Sequence, residues 1–231
     1  MPEVLEKALT IADKKRNDVL RINEIFYSIQ GEGSSAGEPC VFIRLTGCGL
    51  RCTYCDTEYA FYEGEDFSLE SIINSVRSFD CKLIELTGGE PLEQEAVYTL
   101  MTFLCDEGYK VMIETGGHIN ISQVDPRVKR IVDLKTPSSA MERKNYYKNV
   151  DYLRKADEIK FVIGSREDYL WSKDQMELLN LTEKVGTILM SPVSGVLPEA
   201  DLAEWILEDK LPVRFQVQLH KIIWPGVERG I

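Results

Sequence analysis

The sequence predicts an α/β fold built on a mostly parallel sheet. Two observations carry that expectation. After residue 80, β-branched strand-like segments alternate with helical ones, the order in which crossover helices join parallel strands. Gly-rich and polar motifs gather where the expected strands end, and that C-terminal edge is where parallel barrels build their sites.

Residues 1–20 read as an N-terminal extension. Val4, Leu5, Ala8, Leu9 and Ala12 recur there at helical spacing among charges, which predicts a helix. Residues 21–231 form a single domain, with no repeat, low-complexity tract or Pro-rich linker. Residues 21–29 are rich in β-branched and aromatic types and predict a strand. It runs into Gln30-Gly31-Glu32-Gly33-Ser34-Ser35-Ala36-Gly37-Glu38-Pro39. Its glycines suit close approach to a ligand, or simply a flexible loop. Residues 40–45 form a second strand, in which Arg44 interrupts an apolar run. A charge there is paired or lines a cavity. A bound carboxylate matches its planar fork, and a structural ion pair matches it equally.

Residues 68–79 predict a helix capped by Ser68, with Leu69, Ile72, Ile73 and Val76 on its apolar face. A strand at 82–86 stops at Thr87-Gly88-Gly89-Glu90-Pro91, and a helix at 92–107 is closed by Gly108. Strands follow at 110–113, ending in Glu114-Thr115-Gly116-Gly117, and at 130–134, ending in Asp133-Leu134-Lys135. A helix at 141–156 leads to a strand at 158–163 and a helix at 166–179. A strand at 185–190 ends in Ser191-Pro192-Val193-Ser194-Gly195, before a helix at 198–208 and a last strand at 213–219.

Composition narrows the function. The 231 residues carry 27 Lys and Arg against 38 Asp and Glu, a net charge of −11. Gripping a nucleic-acid backbone needs clustered Lys and Arg, so no nucleic-acid partner is expected. The basic run Lys14-Lys15-Arg16 lies beside Asp13 and Asp18 and reads as a solvated face. The start shows no secretory pattern, and no apolar run approaches the roughly 18 residues of a membrane span. A cytoplasmic protein with reduced thiols and no membrane partner is expected. Of the 6 cysteines, Cys40, Cys81 and Cys105 sit in apolar or helical contexts, as buried small hydrophobes do. With only 2 histidines, His118 and His220, a His-rich metal site has little to work with.

The remaining cysteines, Cys48, Cys52 and Cys55, share one short loop at spacing Cys-x3-Cys-x2-Cys. Three thiolates can bind three irons of a four-iron cube and leave the fourth open. Electron-transfer ferredoxins close that position with another Cys. A structural zinc site or unrelated core cysteines are the bland alternatives. Zinc commonly takes four ligands, and no second Cys pair or Cys/His pair of finger spacing exists.

This loop resembles the cluster loop of the radical S-adenosylmethionine (SAM) superfamily. The resemblance implies a [4Fe-4S] cluster on Cys48, Cys52 and Cys55, with SAM chelating the open iron. One electron then releases a 5′-deoxyadenosyl radical, chemistry that belongs to the cofactor. Thr87-Gly88-Gly89-Glu90-Pro91 resembles the superfamily's Gly-Gly-Glu-Pro motif. The resemblance implies that Gly88 and Gly89 let the backbone meet the SAM amino group, with the Glu90 oxygens nearby.

From residue 21 onward the chain resembles one family, 7-carboxy-7-deazaguanine synthase. The carrying residues are Glu24-Ile25-Phe26-Tyr27-Ser28-Ile29-Gln30-Gly31-Glu32-Gly33, Phe42-Ile43-Arg44, Cys55-Asp56-Thr57, Glu114-Thr115-Gly116 and Gln218-Leu219-His220-Lys221. The resemblance implies an incomplete, modified (β/α) barrel of the radical SAM type. It implies conversion of 6-carboxy-5,6,7,8-tetrahydropterin to 7-carboxy-7-deazaguanine and ammonia, a step toward queuosine. Hydrogen leaves C6, the ring contracts, and hydrogen returns, so SAM is regenerated. The resemblance further implies Mg²⁺ on Thr57, a homodimer, and a low-potential reductant such as flavodoxin or ferredoxin. Pterin contacts fall on Ile29, Gln30, Gly31, Glu32, Arg44, Thr87, His220 and the terminal carboxylate of Ile231. SAM contacts fall on Tyr54, Cys55, Asp56, Gly89, Asp133, Leu134, Lys135, Ser191, Pro192, Val193 and Ser194. Two other readings stand beside it: a radical SAM activase that makes a glycyl radical on a partner protein, and a non-catalytic iron–sulfur or zinc module. The loop at 30–33 and Arg44 suit a small anionic substrate better than a protein one.

Overall fold

The computed structural model describes residues 18–231. The helix expected over 1–20 lies outside the described residues except at its end, where Val19 and Leu20 already belong to the first strand.

Among the described residues nine strands form one sheet: β1 (Val19–Ile29), β2 (Pro39–Leu45), β3 (Glu65–Ser68), β4 (Leu83–Gly88), β5 (Lys110–Thr115), β6 (Lys129–Asp133), β7 (Glu158–Ile163), β8 (Thr187–Pro192) and β9 (Arg214–Phe215). Their order is β3-β1-β2-β4-β5-β6-β7-β8-β9. β1 runs antiparallel to β2 and β3, and every neighbouring pair from β2 to β9 is parallel. β3 and β9 are free edges, so the sheet does not close on itself. The helices are α1 (Leu69–Arg77), α2 (Ala96–Asp106), α3 (Arg166–Leu178), α4 (Leu181–Lys184), α5 (Glu199–Asp209) and α6 (Leu219–Ile223). Ser68 Oγ accepts from Ser71 N at 3.1 Å and starts α1 as expected, a cap worth about 1 kcal/mol.

Strand side chains alternate between two faces, and the two faces here have different cores. On one face, Val41, Ile43, Ile84, Leu86, Ile113 and Phe161 join Ile72, Leu100, Tyr169 and Leu202 of the helices. On the other, Phe26, Cys40, Phe42, Leu83, Met112, Ile131 and Leu189 form a separate apolar plug. Two residues further along the same strands stand Arg44, Glu85, Glu114, Asp133 and Ser191, on the plug's side. Lys160 is in register with Asp133 and Leu189 and joins them. A charged layer therefore sits over an apolar floor, near the C-terminal ends of the strands.

Three expected elements differ. Instead of a helix over 141–156, the chain makes short 3-10 turns at Glu142–Lys144 and Tyr147–Tyr152. Asn side chains compete with helical hydrogen bonding by capturing backbone groups. Asn145 bonds both the N–H and the carbonyl of Lys135, and Asn149 bonds Ile121 N and the carbonyls of Gly117 and Ile119. The last strand shrinks to Arg214–Phe215 because the chain then turns inward, with Gln216 and Gln218 both donating to Glu32. The 3-10 turn Pro91–Glu93 precedes α2, which begins only at Ala96.

Candidate active site

One cavity of about 1010 Å³ opens over the charged layer. Pockets for a single drug-sized ligand reach about 1,000 Å³, so this one is large enough for a cofactor and a small substrate side by side. Cys48, Cys52 and Cys55 line it, half-buried and unbridged.

The cysteine loop is anchored at several points. Gly47 N donates to Ala60 O at 2.8 Å, Glu90 N to Gly47 O at 2.7 Å and Thr53 N to Ser139 O at 3.2 Å. Gly49 N donates to Glu93 Oε1 at 2.6 Å. Gly89 is required where the two motifs meet, because a Cβ there would collide with the Gly47 carbonyl. Among the described residues, no three His, Cys, Asp or Glu side chains form a site for one metal ion. The arrangement suits a larger group that bonds each sulfur at a different atom. Burial pushes the Cys48 thiol up to about 11 and raises Cys52 and Cys55 as well. Left alone they are neutral thiols, so a metal that bonded them would displace their protons. The Lys135 ammonium works the other way on all three.

Around the loop lie the residues expected to hold SAM. Tyr54, Asp56, Gly88, Gly89, Asp133, Lys135 and the turn Ser191-Pro192-Val193-Ser194 all line the cavity. Lys135 Nζ pairs with Asp133 Oδ2 at 2.8 Å, while the buried Asp133 Oδ1 has no partner among the described residues. An orphaned acceptor at a cavity wall fits a ligand that brings N–H or O–H groups. Two expected contacts stand back from the cavity. Leu134 is packed in the apolar core. Glu90 is fully buried, with its oxygens taken by Thr115 Oγ1, Gly116 N and Leu92 N, so it braces the motif from behind.

The residues expected to meet the pterin line the same cavity. They are Ile29, Gln30, Gly31, Glu32, Arg44, Thr87, His220 and Ile231. Lys160 Nζ bridges Glu32 Oε2, at 3.0 Å, and Glu114. Burial alone raises a carboxyl, but Lys160 and Gln218 hold Glu32 below the ordinary carboxylate range. Burial lowers His220 and favours its neutral ring. The Asp56 side chain is 48% exposed; partial desolvation works to raise it, yet Lys221 at 2.9 Å and Gln218 at 3.1 Å hold it well below the usual range. Thr57 Oγ1 donates to Asp56 Oδ1 at 3.0 Å, which leaves its lone pairs free for a cation. The C-terminal tail folds back to this cavity. Gly230 N donates to Glu24 Oε2 at 3.0 Å, Tyr59 Oη to Glu228 O at 3.2 Å, and Arg229 pairs with Glu63 at 2.8 Å.

Sequence reasoning missed Glu85, Lys160, Gln218 and Tyr59 as cavity residues. The first two had a readable signal, a charge inside an apolar strand, which was applied only to Arg44. Tyr59 lies on the 3-10 turn Glu58–Phe61 with no local pattern to mark it, and Gln218 belongs to the stretch Gln218-Leu219-His220-Lys221, which carries the family resemblance without a site role for its first residue.

Residues 42–157 match the radical SAM superfamily model. The 7-carboxy-7-deazaguanine synthase of Chlorobaculum tepidum is 46% identical over 92% of this chain and 97% of its own. That of Koribacter versatilis is 40% identical over 92% of this chain and 100% of its own. The crystal structure of QueE from Escherichia coli superposes with a TM-score of 0.71 at 22% identity, covering 86% of this chain and 94% of that one. The open, mostly parallel sheet is thus a radical SAM-type partial barrel.

Proposed function

The chain belongs to the 7-carboxy-7-deazaguanine synthase family of radical SAM enzymes, and from that premise we propose how its cavity divides the work. The enzyme is a lyase that contracts 6-carboxy-5,6,7,8-tetrahydropterin to 7-carboxy-7-deazaguanine and ammonia. One observation carries the assignment of residues: a single cavity is lined both by the three loop cysteines and by Gln30, Glu32 and Arg44.

Cys48, Cys52 and Cys55 would hold the [4Fe-4S] cluster. Asp133, Lys135, Gly88, Gly89 and the turn at 191–194 would hold SAM. When bound, cluster and SAM supply the radical that takes hydrogen from the substrate. The chain's own residues orient and shield. Glu32 and Glu114, held by Lys160, offer acceptors to the pterin N–H groups. Arg44 offers a fork to its carboxylate. The tail from Pro225 to Ile231 covers the substrate side and excludes water. Thr57 would contribute to a Mg²⁺ site that substrate oxygens and water complete, since a hydroxyl alone is a weak ligand. The reading also takes in a flavodoxin- or ferredoxin-like electron donor, a homodimer and a cytoplasmic setting. Among the described residues no helix is long and apolar enough to cross a membrane.

The test is SAM accounting under anaerobic reduction. Without pterin the reconstituted enzyme should cleave SAM. With pterin, net SAM loss should fall, because hydrogen returns and SAM is regenerated. Equal SAM loss in both conditions would overturn the proposal.

A further inference from the structure

Glu85 on β4 is 3% exposed and lines the cavity between Leu83 of the apolar floor and Thr87 of the pterin site. Its register neighbours are apolar, Phe42 on β2 and Met112 on β5. Its hydrogen-bond partner is a neutral amide, for Gln30 Nε2 donates to Glu85 Oε2. The other end of that amide is also fixed, since Gln30 Oε1 accepts from Glu32 N at 3.1 Å. If the amide flipped, it would set its NH₂ against the Glu32 N–H, two donors facing each other. The Glu32 N–H sets which way the Gln30 amide points, and Glu85 holds its other end, so the two together fix the turn at 30–32.

The charges around Glu85 do not balance a further anion. Glu32 faces it from the loop after β1, Glu114 from β5 and Lys160 from β7, with Asp133 beyond them beside Glu114 and Lys160, while on β2 Arg44 is paired with Glu24 and the Cys40 thiol is kept neutral by burial. Lys160 is committed to Glu32 and Glu114, and Lys135 to Asp133. A buried carboxylate without a cation is costly, and such a group keeps its proton instead. Burial first, then Glu114 and Glu32, push Glu85 well above the ordinary glutamate range.

We propose that Glu85 is a positioning residue for the pterin site: its carboxyl group, held in the acid form, fixes the Gln30 amide and thereby the turn that meets the substrate. This rests on the reading of the cavity given under the proposed function. The sign follows from linkage. The folded state keeps a proton that the unfolded chain has lost, so stability from this group is full below the ordinary glutamate range. It falls as pH rises through the raised titration. Above that point a carboxylate beside Glu114 and Glu32 competes for Lys160 and loosens the wall.

The experiment compares wild type, Glu85→Gln and Glu85→Leu as reconstituted enzymes, with kinetics followed from neutral into alkaline pH. Glu85→Gln keeps a neutral acceptor for the Gln30 amide. Wild type should show a rise in KM toward alkaline pH; Glu85→Gln should hold the wild-type KM at neutral pH and abolish that rise. Glu85→Leu removes the acceptor and should raise KM roughly tenfold, with kcat little changed. A protonated-carboxyl stretch from Glu85 should stand out in the wild-type-minus-variant difference infrared spectrum for both variants, where bands from the other raised glutamates, Glu90 and Glu114, cancel. That reading needs no substrate and no turnover, so it tests the acid form even if the wild-type enzyme makes no deazapurine. Absence of that difference band, an unchanged KM in folded Glu85→Leu, or the wild-type alkaline rise retained in Glu85→Gln would each overturn the proposal.

Discussion

Arg44 Nε donates to Glu24 Oε1 at 2.7 Å across the β1–β2 pair, and its two terminal nitrogens make no hydrogen bond among the described residues. The ion pair and the carboxylate clamp are therefore compatible. Glu24 fixes the inner nitrogen, Phe26 and Tyr59 hold the guanidinium plane, and the outer fork stays open toward the cavity. Arg44→Ala should raise KM for the pterin roughly tenfold to a hundredfold, the cost of a lost charged hydrogen bond of about 1.5–3 kcal/mol. Arg44→Lys keeps the charge but not the fork and should fall between. Unchanged substrate affinity in Arg44→Ala would remove it from the site.

Changing Cys48, Cys52 or Cys55 to Ala should abolish turnover and sharply reduce bound iron, measured after anaerobic reconstitution. Cys81→Ala and Cys105→Ala should be far milder, because neither lines the cavity: Cys105 packs against the helix-side core and Cys81 against both cores. Full activity in any loop variant would contradict the cluster assignment.

Thr57 and Asp56 act as a pair, since the Thr57 hydroxyl is oriented by the Asp56 carboxylate. Thr57→Ser should keep the response to Mg²⁺, and Thr57→Ala should blunt it. Titrating Mg²⁺ against initial rate reads this directly. Chelating the metal should lower the wild-type rate and leave Thr57→Ala nearly unaffected.

The tail gives a prediction about tags. Ile231 lines the cavity and the residues before it are tied to Glu24, Tyr59 and Glu63, so this terminus is held where most fray. A carboxy-terminal tag replaces the carboxylate with a neutral amide and should raise KM for the pterin. An amino-terminal tag should be harmless. Equal kinetics for the two would detach Ile231 from the substrate.

Much of this was legible in the sequence because it was periodic or motif-bound. The strand–helix alternation after residue 80 gave the parallel half of the sheet, and the cysteine loop and Gly88-Gly89 pointed to one cavity edge. What stayed hidden depends on side chains meeting across the fold. Asn145 and Asn149 dissolve an expected helix by bonding distant backbone, and Glu90 turns away because Thr115 and Gly116 capture it. Lys160 finds Glu32 from 128 positions away in sequence, a pairing that no local pattern encodes. The polar strand Glu65–Ser68 was missed because it is an edge with no buried face to impose alternation.

The most direct measurement is mass detection of the product. Reconstituted, reduced enzyme supplied with SAM and 6-carboxy-5,6,7,8-tetrahydropterin should form 7-carboxy-7-deazaguanine and an equal amount of ammonia. Intact pterin under those conditions, with the cluster loaded and SAM cleaved, would contradict the account.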